Sequence, residues 1–243
     1  MDAKVWVIND SLQCQQMTAA YLEEAVSMMD AAFFRHETVS RCLGLPNDTA
    51  ALAELKQLTT AAAKDGVSVI AIDKTTNKVI GAAFNKLQVK DDTAFANFVN
   101  SWKQKRAKAI VKFMAEVDSL YNFFDKCGVD CLLEFMFVGI LPEYRKKGVA
   151  KKLCEATIEI GKDLARGVNV KRSVDGRKLG LEPVPKIITA IFTCEATKVI
   201  GKKLGFKVVV EEKFEEYEFE GRNFASVVGD EISTFTLEYR DLK

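Results

Sequence analysis

A chain of 243 residues is long enough for one large domain or two small ones, and 35 basic against 34 acidic side chains argue against a general nucleic-acid binder, which needs a strong positive surplus. Hydrophobic residues make up 48% of the chain, enough for a sizeable core, yet no apolar run is long enough to span a bilayer. A single histidine, His36, excludes a multi-histidine metal site.

In chain order, residues 5–8 form a short apolar strand. Helical spacing follows over 17–34, where Ala20/Tyr21, Ala25, Met28/Met29 and Ala32 recur. A second helix spans 48–64, entered through Pro46-Asn47. Strands at 67–72 and 79–87 flank a hairpin turn at 73–77. Over 95–124, Trp102, Ile110, Phe113, Val117, Leu120 and Phe124 recur at helical intervals. Residues 132–141 are almost wholly apolar, as in a central strand buried on both faces, and Glu134 alone interrupts them. Val149, Leu153, Ala156, Ile160 and Leu164 make the next helical stripe. A long polar loop at 167–185 leads to a buried strand at 187–192, then a helix at 194–204 that Gly205 ends. Late strands at 206–210 and 232–239 enclose an acidic stretch, 211–220. With no repeat and no flexible linker, the pattern reads as one mixed α/β domain spanning 1–243.

The six cysteines, Cys14, Cys42, Cys127, Cys131, Cys154 and Cys194, are scattered among apolar residues. Met1-Asp2-Ala3-Lys4 has no signal-peptide pattern, so the thiols read as reduced and a cytoplasmic setting is expected. Cys127 and Cys131 lack the second pair that a tetrahedral zinc site requires, and no metal is expected. There is neither a Gly-x-Ser-x-Gly elbow nor a Gly-x-x-x-x-Gly-Lys-Ser/Thr phosphate loop.

The stretch VGILPEYRKKGVAKKLCEATIEIG, 138–161, joins an apolar strand to an amphipathic helix through a basic, glycine-containing turn. Unpaired N–H groups and partial positive charge at a helix start suit a pyrophosphate, and a glycine lets it approach the backbone. An ordinary helix start with solvated lysines is the plainer alternative. The placement of Arg145-Lys146-Lys147-Gly148-Val149-Ala150 directly after an apolar strand resembles the acetyl-CoA signature of the GNAT superfamily of N-acetyltransferases, Arg/Gln-x-x-Gly-x-Gly/Ala. Leu204-Gly205-Phe206 is similar to that family's Leu-Gly-Phe after its last helix. Within the superfamily, FFRHETVSRCLGLP (33–46) and VDSLYNFFDKCGVDCLLEF (117–135) resemble segments of the insect arylalkylamine N-acetyltransferases.

The resemblance spans roughly the whole chain. It implies a central, mixed, twisted sheet flanked by helices, with acetyl-CoA in the splay after the fourth strand. The cosubstrate would be held by the backbone of Val138, Gly139 and Ile140 along its pantetheine arm, and by the N–H groups of Lys146, Lys147, Gly148, Val149, Ala150 and Lys151 around its pyrophosphate. Arg145 would brace the turn or reach a phosphate. On charge alone, Lys171, Arg172, Arg177 and Lys178 could meet the nucleotide's 3′-phosphate, or form a solvated basic loop.

Acetyl transfer to an amine needs a base, and a carboxylate of raised pKa can serve. Glu37 matches the insect family's glutamate in Phe-Phe-x-x-Glu-Pro, although Thr38 stands here for the proline. Glu134 matches the base of the histone-acetylating branch and ranks second on family grounds. Their plainer readings are a solvated glutamate after a helix and a strand-mouth glutamate paired with a lysine. The family's hydroxyl positions fall on Thr193 and Thr197, for proton relay or substrate positioning; a helix cap is an equal reading of Thr193.

An aromatic amine (tyramine, dopamine or serotonin type) is the first expectation, with a pocket from Phe33, Phe34, Phe95, Phe98 and Trp102, or these residues are simply core. A polyamine or agmatine could use the carboxylates of 211–220, unless these belong to a solvated edge strand. Direct transfer in a ternary complex is expected from a monomer. A non-catalytic acyl-CoA-binding module and a protein N-acetyltransferase remain alternatives.

Overall fold

Alternating burial starts earlier than the hydrophobic pattern suggests. Leu12, Cys14 and Gln16 point inward from a strand of otherwise polar sequence, β2 (Leu12–Gln16), which pairs with β1 (Val5–Val7). Glutamines at alternate positions hid this strand, so the expected first helix begins only at Ala19. The computed structural model describes residues 3–229 and 232–243; Met1 and Asp2 of the N-terminal tetrapeptide lie outside them.

The other strands are β3 (Val69–Asp73), β4 (Lys78–Val89), β5 (Cys131–Ile140), β6 (Ile187–Phe192), β7 (Lys207–Lys213), the short pair β8 (Glu218–Phe219) and β9 (Arg222–Asn223), and β10 (Thr234–Asp241). Among the described residues, eight strands form one sheet in the order β1-β2-β3-β4-β5-β6-β10-β7, while β8 and β9 form a separate hairpin. All ladders in the large sheet are antiparallel except β5 with β6. The helices are α1 (Ala19–Met29), α2 (Thr38–Cys42), α3 (Thr49–Ala63), α4 (Ala94–Asn100), α5 (Lys105–Ser119), α6 (Phe123–Cys127), α7 (Val149–Ala165), α8 (Glu195–Lys203) and α9 (Ala225–Val228). One core lies between the sheet and α1, α3 and α5; α7 covers the other.

Three details of this architecture position the site. The β5–β6 ladder stops at Phe135–Ala190, although β5 runs on to Ile140 and β6 to Phe192, so the β6-facing edge of 136–140 leaves the sheet unpaired. A bulge in β5 at this point, where Met136 is the extra residue opposite Phe84/Asn85 of β4, adds local twist. Finally, α1 passes into one π-helical turn, Asp30–Phe34, that lies directly on β5. A Cβ on Gly139 would sit 2.8 Å from the Met29 sulfur and 3.1 Å from the Phe33 Cβ, so any larger residue would push Met29 and the π-helical turn outward.

The segment 95–124, expected as one helical run, is three helices, because Trp102–Gln104 and Leu120–Asn122 interrupt it. The acidic stretch is likewise divided, between the edge strand β7, a 3-10 turn and β8. No helix of the described residues is long and apolar enough to cross a membrane.

Candidate active site

The turn after β5 begins with a 3-10 segment, Pro142–Tyr144, anchored where the Tyr144 hydroxyl donates to the Asp73 carboxylate at 2.8 Å. Lys146 then adopts φ +60° and Gly148 φ +81°, so two left-handed residues curl the chain into a concave backbone turn. Gly148 is the N-cap of α7, and no side chain caps that helix. Its first-turn N–H groups therefore face an open turn with nothing within 4 Å of a Cβ placed on Gly148. Lys146 and Lys147 are exposed, the Lys147 ammonium lies 4.9 Å from the Tyr144 ring centroid, and Lys151 pairs with Glu155 at 2.8 Å. Arg145, although exposed overall, donates to the carbonyls of Ile140 and of Ala32 in the π-helical turn, each at 3.3 Å. These bonds link the turn to β5 and to the π-helical segment.

The basic loop lies elsewhere. Lys171 donates to the carbonyls of Leu181 and Pro183, and Arg177 pairs with Asp175. Arg172 bonds Gly66, and the loop follows the C-terminal end of α7. That 17-residue helix, about 25 Å long, separates the loop from the turn at its N-terminus, so a shared nucleotide contact is not supported.

At the splay between β5 and β6 lies a cleft of about 790 Å³, counting its open mouth. Glu37, Glu134, Val138, Ala150, Thr193 and Thr197 all line it. Gly139, Ile140, Lys146, Lys147, Gly148, Val149 and Lys151 continue from it along the strand and turn. Its aromatic lining is Phe33, Phe113, Phe135, Phe137 and Phe192. Of the aromatics expected to form a pocket, only Phe33 takes part. Phe34 is buried, with its ring 5.2 Å from that of Phe137 between centroids, and Phe98 and Trp102 pack on each other.

Glu37 is not a solvated glutamate. It is the N-cap of α2, with Oε1 accepting from the Val39 N–H (2.9 Å) and the Thr193 hydroxyl (2.8 Å), and Oε2 from the Ser40 N–H (2.7 Å) and hydroxyl (2.8 Å). Four donors occupy the four lone-pair directions of a carboxylate. Thr193 therefore spends its proton on Glu37; the cap of α8 is Cys194, without a side-chain cap bond. The Thr197 hydroxyl donates to the Cys194 carbonyl at 2.8 Å.

Glu134 is only 4% exposed and accepts from Gln88 at 2.6 Å through Oε2; among the described residues no donor reaches Oε1. The expected lysine partner is turned away, since the Lys86 ammonium binds Asp65 at 2.7 Å. Burial pushes the Glu134 carboxyl above its ordinary range, partly offset by Gln88 and Lys86. Asp118, one turn beyond Met114 on α5, is pushed well above its range by burial and by the Glu134 charge. Neither Asp118 nor Gln88 was singled out from sequence, because what places them beside Glu134 is the packing of α5 and β4. Burial also pushes the cleft thiol, Cys154, up to about 12, which leaves it inert as a nucleophile.

No family model matches the chain, and no curated protein matches it in sequence. Solved structures do match in shape. An arylalkylamine N-acetyltransferase 2 from Aedes aegypti superposes with a TM-score of 0.77, at 21% identity over 97% of this chain and 100% of that one. A mosquito arylalkylamine N-acetyltransferase-like 5b gives 0.74, at 15% identity over 95% and 100%. A Drosophila melanogaster polyamine N-acetyltransferase that catalyses formation of N-acetylagmatine gives 0.72, at 12% identity over 99% and 100%. The chain has the fold of these GNAT-superfamily proteins.

Proposed function

We propose that this protein is an acetyl-CoA-dependent N-acetyltransferase that acts on a small primary amine, foremost an arylalkylamine, by direct transfer in a ternary complex. One observation carries the reading: the unpaired edge of β5 leads without interruption into an open, basic, doubly left-handed turn, and both border an aromatic cleft that holds two carboxylates. The turn fits a pyrophosphate, since its N–H groups lack side-chain caps and Gly148 leaves space. Bound there, acetyl-CoA supplies the activated acyl group. Val138, Gly139 and Ile140 offer backbone groups to its pantetheine amides, and the first turn of α7 and the two exposed lysines offset the phosphate charge.

The two carboxylates suit different work. Glu37, with every lone-pair direction occupied, orients the Thr193 hydroxyl and leaves that oxygen's own lone pairs for the acceptor. Glu134, enclosed and of raised pKa with one free oxygen, takes the proton from the ammonium. Both threonine hydroxyl protons are committed, so the departing thiolate takes its proton from water. Apart from these glutamates the cleft lining is uncharged and rich in rings, whereas most of the acidic stretch lies on and beyond the edge strand; this favours an arylalkylamine over a polyamine.

The test is CoA release from acetyl-CoA with tyramine and serotonin against agmatine and spermidine, for wild type, Glu37→Ala and Glu134→Gln. Faster turnover of the aryl amines, lost in Glu134→Gln while acetyl-CoA still binds, supports the reading. Preference for agmatine would move the assignment to the polyamine branch. Binding of acetyl-CoA without turnover of any amine would leave a non-catalytic acyl-CoA module.

A further inference from the structure

A second concavity flanks α5. It is an open groove of about 1300 Å³, mouth included, between α4–α5 and the β8–β9 hairpin. Lys105, Lys108 and Lys112 line one wall, spaced three and four residues apart and so on one helical face. Glu116 and Glu218 also line it, but Lys112 already pairs with Glu116 at 3.4 Å, which leaves two lysines against one glutamate.

Phe113 borders both the groove and the catalytic cleft. Phe113 is only 5% exposed, and its ring is held edge-on by Tyr217 at 5.3 Å and Phe235 at 5.1 Å, so it stands as a fixed partition. Resting on the N-acetyltransferase reading, we propose that Phe113 sets the acceptor's length and that the groove is the subsite a longer acceptor enters once that ring is shortened. The apolar wall of the groove (Val99, Phe113, Phe219, Phe224) suits a neutral aromatic or aliphatic far end, and the surplus of lysines disfavours a second ammonium.

The experiment compares two amines that share one reacting end, 2-phenylethylamine and 2-(4-benzyloxyphenyl)ethylamine, with wild type, Phe113→Leu and Phe113→Met. In both variants the kcat/KM ratio of long to short amine should rise about tenfold, the usual scale for opening or closing apolar space against a substrate. Because each ratio is taken on one preparation, partial loss of folded enzyme cancels. A para-aminomethyl analogue of the long amine should gain less, and adding Lys108→Glu should reverse that order. An unchanged long-to-short ratio in both variants overturns the partition. Equal gains by the neutral and cationic long amines overturn the charge assignment. Failure of wild type to acetylate either short or long amine overturns the reading on which the subsite rests.

Discussion

The Thr193 hydroxyl donates to Glu37 Oε1 at 2.8 Å, across 156 residues of sequence. This bond ties the N-terminus of α2 to the chain between β6 and α8, closing one wall of the cleft at the splay. It also fixes the direction of a threonine oxygen that the cleft exposes.

Thr193→Val keeps the shape and removes the donor. We expect kcat to fall by up to about tenfold, the scale of one lost hydrogen bond of about 1.4 kcal/mol. Acetyl-CoA affinity, measured by calorimetry, should not change, and Thr193→Ser should restore the rate. A valine variant with wild-type kcat would remove Thr193 from the mechanism.

Glu37→Ala has a structural cost that Glu134→Gln does not. It strips the cap from α2, which costs about 1 kcal/mol. Thermal denaturation should therefore show a lowered Tm for Glu37→Ala, even where its chemistry is only moderately slowed. In contrast, Glu134→Gln should lose turnover without that drop in Tm.

Under the proposed mechanism, the raised pKa of Glu134 sets the acid side of the pH–rate profile. Its carboxylate must be ionised to accept a proton, so kcat/KM should fall as pH drops through a value above the ordinary glutamate range of about 4.3. A profile with its acid limb at or below that ordinary value would assign the base elsewhere.

Burial, and then mutual repulsion, disfavour the charged forms of Asp118 and Glu134. Folding therefore favours their protonated forms, and the contribution is fully present below about pH 4 and lost as pH rises. Asp118→Asn removes the conflict. Its stability to urea should equal or trail that of wild type near pH 4 and exceed it near pH 8. A constant difference across that range would show that the Asp118 carboxyl is not raised in the folded protein.

At the turn, Gly148→Glu should abolish acetyl-CoA binding, since it adds bulk and negative charge at φ +81°, where a side chain already costs about 1–2 kcal/mol. Arg145→Ala should weaken binding less, because it only loosens the brace to Ile140 and Ala32. Calorimetry that finds unchanged affinity in Gly148→Glu would sink the turn as the phosphate site.

The strand–turn–helix unit at 131–165 was legible in sequence because all its determinants are contiguous: an apolar run, a proline break, a basic glycine turn and a helical stripe. The helices and hairpins announced by periodic apolar residues were legible for the same reason. β2 was not, since glutamines occupy alternate positions, and α2 was not, because it has five residues and its cap is a glutamate. Only tertiary packing decided how each candidate acid is held. Glu37 is saturated because Thr193 arrives from a distant strand end, Glu134 is enclosed because β4 and α5 close around it, and Phe113 is a partition because the β8–β9 hairpin packs behind it. Local pattern encodes which backbone geometry a segment adopts; the hydrogen-bond partners and burial that tune a side chain come from elements far away in sequence, whose meeting is set by how the faces of the sheet are filled.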